Sequence, residues 1–161
     1  MTTSFQLLVL LTAWGSAITG GIFYAFSSFV MAALARIPAD AGITAMQSIN
    51  VTVINGTFFA VFFGTALLCL AIIVLGLMGF GGLSKWAMIG AAVYLVGTIG
   101  VTMALNVPLN NQLAAMDANA AASADVWLAY VRDWTMWNHV RTIAALIAAV
   151  MLGASALAGT G

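Results

Sequence analysis

Residues 134–143, WTMWNHVRTI, hold the single histidine of the chain, His139, with Arg141 two positions on and Trp134, Trp137 and Asn138 beside it. An imidazole exchanges a proton near neutral pH, and a guanidinium is a permanent positive charge with five donors in a fixed fork. Helical spacing puts Trp134, Asn138 and Arg141 on one face (i, i+4, i+7) and Thr135, His139 and Thr142 on another. A second group of polar residues is as conspicuous. Asn50 and Asn55 lie among Ile49, Val51, Val53, Ile54, Phe58 and Phe59, and Asn106, Asn110 and Asn111 punctuate NVPLNN. A buried amide without partners costs roughly 2 kcal/mol or more. A charge inside an apolar helix is costly unless paired. The acids, Asp40, Asp117, Asp125 and Asp133, lie mostly in loops, so asparagine carbonyls, helix-end carbonyls or an anionic ligand are the partners open to Arg141. A functional site and a purely structural polar network both fit these letters.

Familiar catalytic constellations are missing. The chain has no second histidine and no glutamate, so a two-histidine metal site or a Glu-x-x-His di-iron bundle cannot be written within one chain. Cys69 is alone, which leaves no intramolecular disulfide and no paired-cysteine metal motif. A haem on His139, with an open sixth position or a methionine or second chain opposite, remains writable, as does a copper ion. The nine methionines are ordinarily core filler.

The elements that must position these residues follow from composition. Of 161 residues 64% are hydrophobic and 5% charged, with mean hydropathy of +1.13, against about 25% charged in soluble domains. Four basic and four acidic residues balance, so there is no basic footprint for nucleic acid. The chain reads as a single integral membrane domain, 1–161, embedded in the lipid bilayer. Apolar stretches at about 5–34, 53–78, 86–105 and 142–157 meet or approach the roughly 20 residues a span requires. The amino-terminal stretch lacks the basic start of a cleaved signal and reads as the first span. Arg36 and Pro38 stop that span, the Gly-rich turn 76–85 joins the second to the third, and Pro108 is expected to end the third. Gly15, Gly20, Gly21, Gly90, Gly97 and Gly100 would let backbones approach in lipid.

The expected fold is all-α, an antiparallel four-helix transmembrane bundle with helices two and four extended beyond the membrane on one side. Helix two is expected to run unbroken from about residue 42. Helix four is expected to start near Asp125 as its cap, with Trp127, Tyr130, Trp134 and Trp137 following at spacings of three or four. Loops 35–42 and 106–125 share a side, which gathers Tyr24, Asn50, Asn55, Asn106, Asn110, His139 and Arg141 at one end. Arg36, Lys85 and Arg132 fit the membrane boundary, with Trp and Tyr as an aromatic belt. The basic residues favour that end facing the cytoplasm, and the expected location is the bacterial inner membrane.

The blocks GGIFYAFSSFVMAALARIP, GITAMQSINVTVINGTFF, YLVGTIGVTMALNVPLNNQLA and WLAYVRDWTMWNHVRTIAA together resemble the small four-helix membrane proteins of the anthrone oxygenase family, from about Gly20 to Ala145. The NVPLN and W..WNHVRT blocks are the more distinctive. The resemblance implies cofactor-free oxygenases that turn an anthrone into an anthraquinone. Catalytic candidates are then His139, Arg141, Asn50 and Asn106. His139 would take the acidic C–H proton beside the carbonyl, and Arg141 or an asparagine amide would stabilise the enolate oxygen. Tyr24, Asn55, Asn110, Trp134, Trp137 and Asn138 would bind a lipophilic aromatic substrate. The competing expectation is a binding protein that holds haem, copper or a quinone with His139 as ligand. A homo-oligomer stays open, as does a subunit role beside another membrane protein.

Overall fold

The computed structural model describes residues 2–80, 82–120 and 123–158. Among them the chain is all helical: α1 (Thr3–Leu34), α2 (Ala39–Thr52), α3 (Gly56–Leu77), α4 (Lys85–Ala114) and α5 (Ser123–Ala158). The first and the last three are long and apolar enough to cross a membrane, which makes this an integral membrane protein. The 22 residues of α3 span about 33 Å at 1.5 Å each, close to the roughly 30 Å of a hydrocarbon core. At 36 residues, α5 is about 54 Å long.

Contacts link α1 with α5, α5 with α4, α4 with α3 and α3 with α1. Close approach is built on glycine, since a Cβ on Gly97 would meet Ala144 Cβ at 2.5 Å and one on Gly20 would meet Leu146 Cδ2 at 2.8 Å. Gly21, in contrast, has nothing within 4 Å. The α3–α4 turn uses Gly79 and Gly82 at φ of +76° and +62°, a region other residues rarely enter. Ser84 then caps α4 by accepting the Trp86 N–H at 3.0 Å.

Three sequence expectations are corrected. The polar extension of the second span is a separate helix: α2 stops at Thr52, and Asn55 takes an extended backbone (φ −133°, ψ 162°) to cap α3. Its Oδ1 accepts the Phe58 N–H at 3.0 Å, while its Nδ2 donates to Thr52 O at 2.9 Å. One side chain thus closes the end of one helix and the start of the next, a local bond that competes with helix continuation. Pro108 does not end the third span, which runs on to Ala114. The turn before it, Thr102–Asn106, is widened into a π-helix, which relieves the clash between the proline ring and the carbonyl one turn back. Helix α5 begins at Ser123, so Asp125 lies inside its first turn, where its charge favours the positive end of the helix dipole.

Two apolar cores share the long helices. One joins Val9 and Ala13 of α1, Cys69 and Ile72 of α3, Ala87, Ala91 and Tyr94 of α4, and Ala145, Ala148 and Leu152 of α5. The other joins Met31, Ile43, Met46, Leu113, Trp127, Tyr130 and Trp134. Ser16 and Thr19 on α1, Thr98 and Asn106 on α4, and Asn138, Arg141 and Thr142 on α5 are buried polar residues that fall between the two sets. The order along α5 is the reverse of that along α1 and α4.

Candidate functional site

The layer between the cores is made where helices depart from the α form. π-helical turns occupy Phe26–Val30, Tyr94–Gly100 and Thr102–Asn106, and single π turns recur at functional sites. They carry Ser27, Thr98, Thr102 and Asn106, all of which bond to α5.

Asn138 and Arg141 stand at the centre, 0% and 6% exposed. The Arg141 guanidinium carbon lies 3.9 Å from the centroid of the Phe23 ring and 4.8 Å from that of Trp134. A cation between two aromatic faces is attracted by both ring quadrupoles, which offsets part of its desolvation. Its Nε donates to Asn138 Oδ1 at 2.8 Å and its Nη1 to Thr102 Oγ1 at 3.4 Å. No carboxylate joins it: the one ion pair among the described residues is Arg132–Asp133, on the surface at 2.7 Å. Asn138 spends both Nδ2 hydrogens, on Phe23 O and Ser27 Oγ, each at 2.8 Å. Thr98 and Thr142 complete the layer by donating to Arg141 O at 3.4 Å and Asn138 O at 2.6 Å.

The asparagines of α4 anchor an aromatic column on α5. Asn110 Oδ1 accepts from Tyr130 OH at 2.9 Å and from Trp134 Nε1 at 2.8 Å. Asn106, fully buried, donates its Nδ2 to Trp134 O at 3.1 Å. Its Oδ1, like Nδ2 of Asn50, is buried without a hydrogen-bond partner. Trp127, Tyr130 and Trp134 stack along the helix at 5.7 and 6.3 Å, and Phe26 closes on Trp134 at 5.6 Å.

His139 points elsewhere. It is exposed and lines an open groove of about 410 Å³ between the end of α1 and the middle of α5, with Ser27, Met31, Thr135 and Met136. Two positions on a helix are 200° apart, so His139 and Arg141 face away from each other. Ser27 connects the two: it lines the groove and accepts the hydrogen bond from Asn138.

The structure therefore brings Arg141, Asn138, Asn106, Asn110 and Trp134 together and sets His139 beside them in the groove. Asn55 serves as a helix cap, Tyr24 is 59% exposed, and Trp137 is half-buried. Residues to which sequence reasoning gave no role in the site are Phe23, Ser27, Thr98, Thr102 and Tyr130. Serine and threonine bond their own helix so often that they give little signal. Among the described residues no three His, Cys, Asp or Glu side chains converge as metal ligands.

Fold and site together define an integral membrane protein of long apolar helices with an arginine–asparagine layer buried between two cores. The chain belongs to the anthrone oxygenase family, whose model matches residues 57–151. The match takes in α3, α4 and most of α5, and with them Thr98, Thr102, Asn106, Asn138, Arg141 and Thr142, but not Phe23 or Ser27 of α1. No curated protein and no solved structure matches the chain.

Proposed function

We propose that this protein is a membrane oxygenase that draws a lipophilic aromatic ketone of the anthrone type from the bilayer and oxidises it with dioxygen at the groove beside His139. The observation that carries the reading is the groove itself. It sets one imidazole beside apolar walls from Met31 and Met136, with the ion-paired Arg132 also lining it, next to a layer that holds a fixed positive charge. At about 410 Å³ it falls within the size range of small-molecule sites, about 300–1,000 Å³. In this reading the four long helices run antiparallel as one bundle, and α2 covers its polar end.

The chemistry asks little of the protein. His139 accepts the proton of the acidic C–H, leaving an anion whose charge spreads to the carbonyl oxygen. Preorganised donors on the groove wall stabilise that oxygen as charge develops, with the Arg141 charge polarising them from the buried layer behind. The anion reduces dioxygen and combines with it to form a hydroperoxide at the former C–H carbon. Loss of water then gives the quinone: one oxygen atom stays as the new carbonyl, and the other leaves with the two hydrogens of the methylene. His139→Gln removes the base and should lower anthrone turnover above the spontaneous background by about 100-fold or more. An unchanged rate in a folded variant would refute the assignment.

A further inference from the structure

Serine and threonine hydroxyls in helices ordinarily donate to the carbonyl one turn back, and this chain largely obeys. Thr12 donates to Leu8 O at 2.7 Å, Thr19 to Gly15 O at 2.9 Å, Ser28 to Tyr24 O at 2.7 Å and Thr102 to Thr98 O at 2.7 Å. Ser27 departs from the pattern. The carbonyl that would take its proton, Phe23 O, is occupied by Asn138 Nδ2 at 2.8 Å. Ser27 Oγ itself accepts the other Nδ2 hydrogen, also at 2.8 Å. The protein acceptor left for its own hydrogen is Thr142 Oγ1 at 3.3 Å, a long contact for a hydroxyl pair. Thr142 has already given its hydrogen to Asn138 O. One lone pair of Ser27 is therefore filled, and its O–H remains weakly engaged at the wall of the groove that also holds His139.

Behind Ser27 the bonds run in one direction: Arg141 Nε to Asn138 Oδ1, then Asn138 Nδ2 to Ser27 Oγ. A guanidinium bonded to the amide oxygen polarises the amide, and hydrogen bonds in such chains strengthen one another. The result is a hydroxyl drawn toward donating.

We propose that Ser27 is the hydrogen-bond donor to the ligand's ketone oxygen in the groove, with Asn138 and Arg141 as positioning residues that sharpen it. The ligand class is an aryl ketone whose oxygen gains negative charge when His139 removes a proton. A bond to an ionised acceptor is roughly twice as strong as a neutral one, so Ser27 favours the anion over the neutral ketone. Thr135, on the same groove with its Oγ1 buried and unpartnered, is the second hydroxyl within the site. This inference rests on the groove being the substrate site.

The test uses 2-hydroxyanthraquinone, whose phenolate places charge on a ring ketone and absorbs at longer wavelength than the phenol. The full chain is purified in detergent, binding is followed by tryptophan quenching, and the dye's ionisation midpoint is read by absorbance. All variants carry His139→Gln, which removes the base from the groove. With Ser27 intact, the bound dye should ionise at lower pH than in empty micelles. Ser27→Ala should raise the midpoint by about one pH unit, a tenfold change in the ratio of the two forms. Ser27→Thr should restore it, and Ser27→Val, which fills a similar space with no donor and no ionisable group, should match the alanine variant and stands in if that one does not fold. A dye that binds every variant with one midpoint overturns the role of Ser27 and leaves the groove as a binding site. A dye that does not bind when Ser27 is intact overturns the groove reading and this inference with it.

Discussion

Asn138→Leu is the sharpest perturbation of the buried layer, because the two residues are of similar size and only the polar atoms are lost. Asn138 makes three side-chain bonds at 2.8 Å: two from Nδ2 and one, to Oδ1, from the Arg141 guanidinium. At about 1 kcal/mol for each neutral bond and about 2 kcal/mol for the charge-assisted one, the loss is about 4 kcal/mol. Bonds between membrane helices average nearer 0.6 kcal/mol each, which sets a floor of about 2 kcal/mol. The expected destabilisation is therefore about 2–4 kcal/mol. Unfolding in mixed micelles of increasing SDS fraction, followed by far-UV circular dichroism and by tryptophan fluorescence, measures it. His139→Leu, one residue on, is the control. Its side chain is exposed and makes no hydrogen bond among the described residues, so it should change stability by no more than about 0.5 kcal/mol, as surface substitutions do. Equal effects at 138 and 139 would refute the division of α5 into a buried polar face and a groove face.

Arg141→Met should lower turnover by up to about tenfold through the weakened Ser27 donor, while the desolvation it relieves offsets the bonds lost to Asn138 and Thr102, so stability changes little; SDS unfolding and anthrone turnover on one preparation check both halves. Arg141→Lys should fail to rescue, because a compact ammonium can neither stack between Phe23 and Trp134 nor present the guanidinium fork. Asn55→Ala should cost about 1 kcal/mol through its lost cap while anthrone turnover holds, which separates capping from substrate binding. Gly97→Val would force a side chain into Ala144 and should destabilise by about 1–3 kcal/mol through overpacking, readable in the same SDS titration.

The membrane class and the four long helices were legible because apolar length is dictated by the thickness of a bilayer. Boundaries were less so. Asn55 reads as a buried amide among phenylalanines until its backbone turns extended and it becomes a cap. Pro108 reads as a stop because the widened turn that admits it leaves no mark in sequence pattern. The polar residues of the site were visible as letters out of place, and helical spacing assigned Trp134, Asn138 and Arg141 to one face of α5. What spacing within one helix does not reveal is the partner from another. Ser27, Thr98 and Thr102 became significant only once α1 and α4 were seen to aim them at α5, and Phe23 only once its ring lay on the Arg141 guanidinium.

Oxygen uptake by the purified chain in lipid nanodiscs, supplied with an anthrone and monitored together with quinone absorbance, tests the proposed activity most directly. One dioxygen consumed per quinone formed is expected, at a rate well above that of empty nanodiscs and returning to it in His139→Gln. Uptake by the intact protein no faster than by empty nanodiscs would contradict an oxygenase at this groove. A haem absorption band lost in His139→Ala would replace that reading with a haem protein.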